Sequence, residues 1–137
     1  MTTAPPPDVA AVYDGFPEDA RAALLKIRGQ IFEVAEASAV GPLSETLKWG
    51  TPAYLTTASK AGTTIRLGWH VTRPEVCALY VHCQTTLVEG YRRDFPEAFD
   101  YDGTRAVNIP LSAPYPQDAL HQIIARALTY HRAKSRR

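Results

Sequence analysis

The chain has 137 residues, 45% of them hydrophobic and 21% charged, enough for one ordinary core and too few for two comfortable domains. Fifteen Lys and Arg against fourteen Asp and Glu leave a formal net charge of +1, which removes the bulk attraction that draws nucleic acid or an anionic membrane; any basic site must be local. No apolar run approaches the roughly 20 residues that cross a bilayer, so neither partner is expected.

Residues 1–8, with Pro5-Pro6-Pro7 among small polar neighbours, cannot bury enough surface to order themselves. They read as a disordered tail without the basic and apolar regions of a signal peptide, ahead of a domain over 9–134. A short helical turn is expected from Val9 to Tyr13, stopped by Asp14-Gly15. Pro17 suits the first turn of a longer helix, where Glu18 and Asp19 complement the dipole. That helix should reach about Ala37, with Leu24, Ile27, Ile31 and Val34 on the dry face and Leu25 and Phe32 widening it. Arg21, Lys26, Arg28, Gln30 and Glu33 fall on the wet side. Gly41-Pro42 ends any continuation.

Ala53 to Thr57 and Thr63 to Val71 read as strands of a hairpin, joined by the small polar run from Ala58 to Gly62. In the second strand Ile65, Leu67, Trp69 and Val71 alternate with Arg66, Gly68 and His70. The next strand, Val76 to Cys83, sorts Cys77, Leu79, Val81 and Cys83 onto one face and Ala78, Tyr80 and His82 onto the other. Extended chain holds the two cysteines roughly 20 Å apart, beyond disulfide reach. Two unpaired thiols fit a reducing compartment, and the cytoplasm is the expected location.

Thr86-Leu87-Val88-Glu89 has the spacing of a capping box and opens a short helix to about Asp94. Phe99 to Tyr101, Asp102-Gly103 and Arg105 to Ile109 read as a second hairpin with a type I′ turn. Three prolines between Pro110 and Pro116 make a rigid connection. The last helix starts near Gln117 or Asp118 and aligns Leu120, Ile123, Ile124, Ala127, Leu128 and His131, ending in the basic residues Arg132, Lys134, Arg136 and Arg137. With no strand-helix-strand alternation, the order predicts one α+β domain, a curved antiparallel sheet packed by N- and C-terminal helices.

No glycine-rich phosphate loop, nucleophile elbow or H-E-x-x-H occurs, and His and Cys lack metal-ligand spacing. A catalytic residue, a metal and a cofactor are therefore not expected. Arg66, His70, Tyr80 and His82 could share one sheet face, offering positive charge, a titratable ring and an aromatic wall to a small anion. The competing reading is the solvated face of a half-buried sheet. Trp49 and Tyr54, around Gly50-Thr51-Pro52, read as core flanking a rigid turn.

The string Glu45-Thr46-Leu47-Lys48-Trp49-Gly50-Thr51-Pro52-Ala53-Tyr54 resembles the signature of the YdhG-like family, a domain of unknown function in small bacterial proteins. That pattern is a helix, an acidic residue, Lys or Ser, then Trp-Gly-x-Pro and an aromatic; Glu45, Lys48, Trp49, Gly50, Pro52 and Tyr54 stand in those places. The resemblance spans most of 9–134 and implies helices packed on a curved antiparallel sheet. One branch is described as a frataxin-like intracellular iron chaperone for cofactor assembly. Carboxylates are the hard ligands such a role needs, and here Glu18 and Asp19, joined by Glu33 or Glu36, would supply them. The leading expectation is a non-catalytic cytoplasmic binding module for a small molecule or protein partner. Its ligand-facing set is Glu45, Lys48, Trp49, Tyr54, Arg66, His70 and Tyr80. Within the signature, Trp49, Gly50 and Pro52 lean structural, while Glu45, Lys48 and Tyr54 are expected to face a ligand.

Overall fold

In the computed structural model, which describes residues 3–135, the chain opens with helices α1 (Pro7–Asp14) and α2 (Glu18–Ala37). Four strands follow, β1 (Ser44–Lys48), β2 (Thr51–Leu55), β3 (Ile65–Gly68) and β4 (Val76–Tyr80). Helix α3 (Leu87–Asp94) precedes the hairpin of β5 (Asp100–Asp102) and β6 (Ala106–Pro110), and α4 (Gln117–Leu128) and α5 (Tyr130–Ser135) close the chain. The strands form one open antiparallel sheet in the order β1-β2-β3-β4-β6-β5. This is the single α+β domain that the element order predicts.

The helices cover one face of the sheet. Helix α1 packs on β1 and β2, α2 on β4, and α4 on α2 and α3. The predicted stripe of α2, Leu24, Ile27, Ile31 and Val34, is buried, as are Leu120, Ile123, Ile124, Ala127 and Leu128 of α4. Against them lie Tyr54, Ile65, Leu67, Cys77, Leu79, Val107 and Ile109, the residues that period-two alternation turns to this side. Each buried Leu or Ile contributes about 1.5–3 kcal/mol. Burial pushes the Cys77 thiol up to about 12, so it sits in the core as a neutral apolar group. Tyr91 is fully buried, and its hydroxyl donates to the Ile123 carbonyl at 2.7 Å, joining α3 to α4.

Several local expectations differ from the structure. Helix α1 opens at Pro7, two residues before the expected start of the domain, with Val9 and Tyr13 buried one turn apart; Met1 and Thr2 lie outside the described residues. Strand β3 is four residues long because Thr63 leaves the ladder to donate its N–H to the Ala127 carbonyl. At its other end the Trp69 indole donates to the Pro74 carbonyl. Thr86 makes no side-chain cap on α3; its own N–H bonds to the Tyr130 hydroxyl instead. The Asp102-Gly103 turn is not type I′. Asp102 pairs with Ala106 across three residues, and only Gly103 takes positive φ. The closing helix breaks at Thr129, leaving His131 exposed in α5 rather than on the buried stripe; Arg136 and Arg137 lie outside the described residues.

Candidate functional site

The signature stretch is a β-hairpin. Lys48 pairs with Thr51, so Trp49 and Gly50 are the two central residues of the turn, at φ +54° and +76°. Positive φ at both positions is the type I′ geometry that matches strand twist. Glycine adopts it freely, whereas a left-handed conformation costs an L-residue with a bulky side chain about 1–2 kcal/mol. Trp49 is nonetheless 90% exposed, so no packing offsets that cost. The expectation of a core role for Trp49 is overturned: the turn lifts the side chain off the sheet.

Alternation divides the remaining signature residues between the faces. Glu45 pairs directly with Tyr54 and both point at the helices, while Lys48 and Thr51 point outward. Glu45 meets Arg28 in a two-pronged ion pair, Nε to Oε2 at 2.5 Å and Nη2 to Oε1 at 2.8 Å, and both side chains are buried. The Arg28 Nη2 also donates to the Thr3 carbonyl at 2.8 Å, and the guanidinium lies 5.0 Å from the centre of the Phe32 ring. The bond to Glu45 raises the Arg28 pKa. Beside this pair the Tyr54 hydroxyl bonds to that of Tyr13, and burial drives both phenol pKa values well up, keeping them neutral. Arg28 is thus not on the wet side of α2, and Glu45 and Tyr54, expected to face a ligand, turn their side chains under the helices, where Arg28 and Tyr13 satisfy them.

No described helix packs on the outer face. Arg66 pairs with Tyr80 across β3 and β4, its guanidinium 5.2 Å from the centre of the ring and 3.2 Å from the Thr51 hydroxyl. A Cβ at Gly68 would stand 3.2 Å from the Tyr80 ring, so the glycine lets that ring lie against the sheet. From the hairpin tip, past Arg66, to the end of β4 the surface forms a concavity of about 610 Å³, bounded by Lys48, Trp49, Arg66, His82, Cys83 and Arg105. Arg105 arrives because the Val81 N–H bonds to its carbonyl at 2.8 Å, which draws the β5–β6 turn against the end of β4. No carboxylate lines the concavity, and among the described residues Lys48, Arg66 and Arg105 form no ion pair.

The expected Arg66, His70, Tyr80 and His82 cluster is split. In the antiparallel register His70 follows β3 at one end of the ladder and His82 follows β4 at the other. His70 bonds to Thr72 within its own turn. Together with Tyr80 it lines a separate depression of about 170 Å³, near Arg73, Asp102 and Asn108. Charges there are paired: Arg73 reaches Glu75, Asp100 and Asp102, and the Asn108 amide donates to Asp102. Cys83, expected on the apolar face of β4, is exposed because the strand ends at Tyr80 and the chain turns outward after Val81. Arg105 and Cys83 are absent from the sequence-derived set. The signal for Arg105 is nonlocal, the pairing of Tyr80 with Ala106.

The carboxylates of the iron-chaperone alternative lie apart. Glu18 and Asp19 begin α2, while Glu33 and Glu36 sit about 20 Å or more along it at 1.5 Å per residue. Among the described residues no three His, Cys, Asp or Glu side chains gather as a metal site. No described helix is long and apolar enough to cross a membrane. No family model, curated protein or solved structure matches the chain.

Proposed function

We propose that this chain is a non-catalytic binding module whose site is the concavity beside the Trp49-Gly50 turn and whose ligand is a small anion. One observation carries the reading: Lys48, Arg66 and Arg105 all line the same concavity of about 610 Å³, with no carboxylate among its lining residues. Like charges lining one concavity repel each other, and a bound anion relieves that repulsion. The volume suits a small molecule. Resemblance of the hairpin to the YdhG-like signature supports assignment to that family and a site beside Trp-Gly-x-Pro. The free thiols Cys77 and Cys83 support a reducing compartment such as the cytoplasm.

The test is thermal unfolding in inorganic phosphate against chloride at matched ionic strength. Ten-millimolar phosphate, at about ten times a millimolar dissociation constant, should stabilise by about 1.4 kcal/mol and raise Tm by roughly 3–5 °C. Lys48→Gln combined with Arg105→Gln removes two cations that form no ion pair among the described residues, and should abolish the rise. An equal rise in the variant, or none in the wild type, would refute the assignment.

A further inference from the structure

Trp49 is not explained by an anion site alone. It occupies a left-handed position suited to Gly or Asn, it is 90% exposed, and among the described residues its ring stacks on no other ring or cation. Strain that buys no packing is found where the strained residue has another task. The same turn sets the indole at the rim of the concavity holding Lys48, Arg66 and Arg105.

Resting on the anion-site reading above, we infer that the ligand joins an anionic group to a flat ring, the ring stacking on Trp49 while the anion meets the three cations. A nucleoside phosphate has this chemistry. Indole presents a broad π-face to any base, and stacking of this kind tolerates different bases because it reads the ring face rather than its hydrogen-bonding edge. Arginine and lysine supply the phosphate contacts, Arg by a fixed fork and Lys as a point charge. Type I′ geometry fixes the backbone beneath the indole, so little loop entropy is lost when the ring is captured.

Calorimetric titration with three probes separates the parts: adenosine 5′-monophosphate, ribose 5-phosphate and adenosine. Wild type should bind the nucleotide about tenfold tighter than ribose 5-phosphate, within the 5- to 150-fold range that one stacked base contributes. In Trp49→Asn that ratio should collapse to within twofold. The same variant creates Asn-Gly, the preferred type I′ pair, so its Tm should rise by about 2–5 °C, which shows that lost discrimination is not lost folding. Trp49→Phe should recover part of the ratio. Lys48→Gln with Arg105→Gln should weaken both phosphates alike.

Equal affinity for the nucleotide and ribose 5-phosphate in wild type would overturn the ring inference and leave the anion site standing. Failure of both phosphates to bind would overturn both. A single-stranded hexanucleotide provides the last arm: tighter binding than the mononucleotide assigns the recognised unit to a strand, and equal or weaker binding assigns it to a free nucleotide.

Discussion

Replacing Glu45 by Gln tests whether this signature residue serves the core or a ligand. The substitution keeps shape but removes the charge facing Arg28, whose guanidinium side chain is only 7% exposed. Of the bonds at 2.5 and 2.8 Å, one keeps a neutral amide oxygen as acceptor and the other meets an amide NH2 that cannot accept, so the cation is left with that oxygen, the Thr3 carbonyl and the Phe32 ring. Removing one partner of a buried pair costs about 3–5 kcal/mol, most of it the penalty of an uncompensated charge. A chain of 137 residues at about 0.05–0.15 kcal/mol per residue has roughly 7–20 kcal/mol in total, so the variant remains folded and measurable. Urea denaturation should show the midpoint falling by about 1.5–2.5 M at unchanged slope, taking about 2 kcal/mol per molar. Arg28→Met with Glu45→Leu removes both charges and should recover at least 2 kcal/mol of the loss. Phosphate stabilisation should persist in both variants, since the pair faces away from the concavity. A Glu45→Gln cost below 1 kcal/mol, or a double variant no more stable than the single one, would refute the structural role. Loss of the phosphate response in a folded variant would return Glu45 to the ligand site.

Gly62 and Asp94 test how the helical layer is fastened. A Cβ at Gly62 would stand 2.3 Å from the Leu128 backbone carbonyl, and neither backbone can yield alone. Gly62→Ala should therefore cost about 2–4 kcal/mol in urea denaturation and speed hydrogen exchange at the Thr63 amide, which bonds to Ala127. Asp94 bonds to Arg93 and Arg126, which hold its carboxyl down to about 2. The folded pKa lies below the unfolded value, so stability is present above pH 4 and lost as pH falls toward 2. Asp94→Asn should flatten the stability-pH curve across that window; a slope equal to wild type would remove the α3–α4 link.

Residues whose environment is set by their neighbours in sequence were legible. The 3,4,3 spacing from Leu24 to Val34 and the alternation of Ile65, Leu67, Cys77 and Leu79 place each side chain by local geometry, and all are buried as that geometry predicts. The same rule assigns Arg66 and Tyr80 to one face, where they are paired partners. Where pattern and partner disagree, the pattern misleads. Arg28 lies on a formally polar position of α2, yet β1 brings Glu45 to it from 17 residues away.

The candidate site shows the same limit. Lys48, Trp49 and Arg66 were named from sequence, but so were Glu45, Tyr54, His70 and Tyr80, which lie in the core or in the depression beyond Arg66. The fold class and the buried stripes of α2, α4 and the strands were readable from the sequence, because helix and strand periods act over a few residues. Tertiary structure alone decided which side of the sheet each signature residue serves, where each strand ends, and that Arg105 joins Lys48 and Arg66. Those outcomes depend on β-pairing register and on contacts across tens of residues, which no local period encodes.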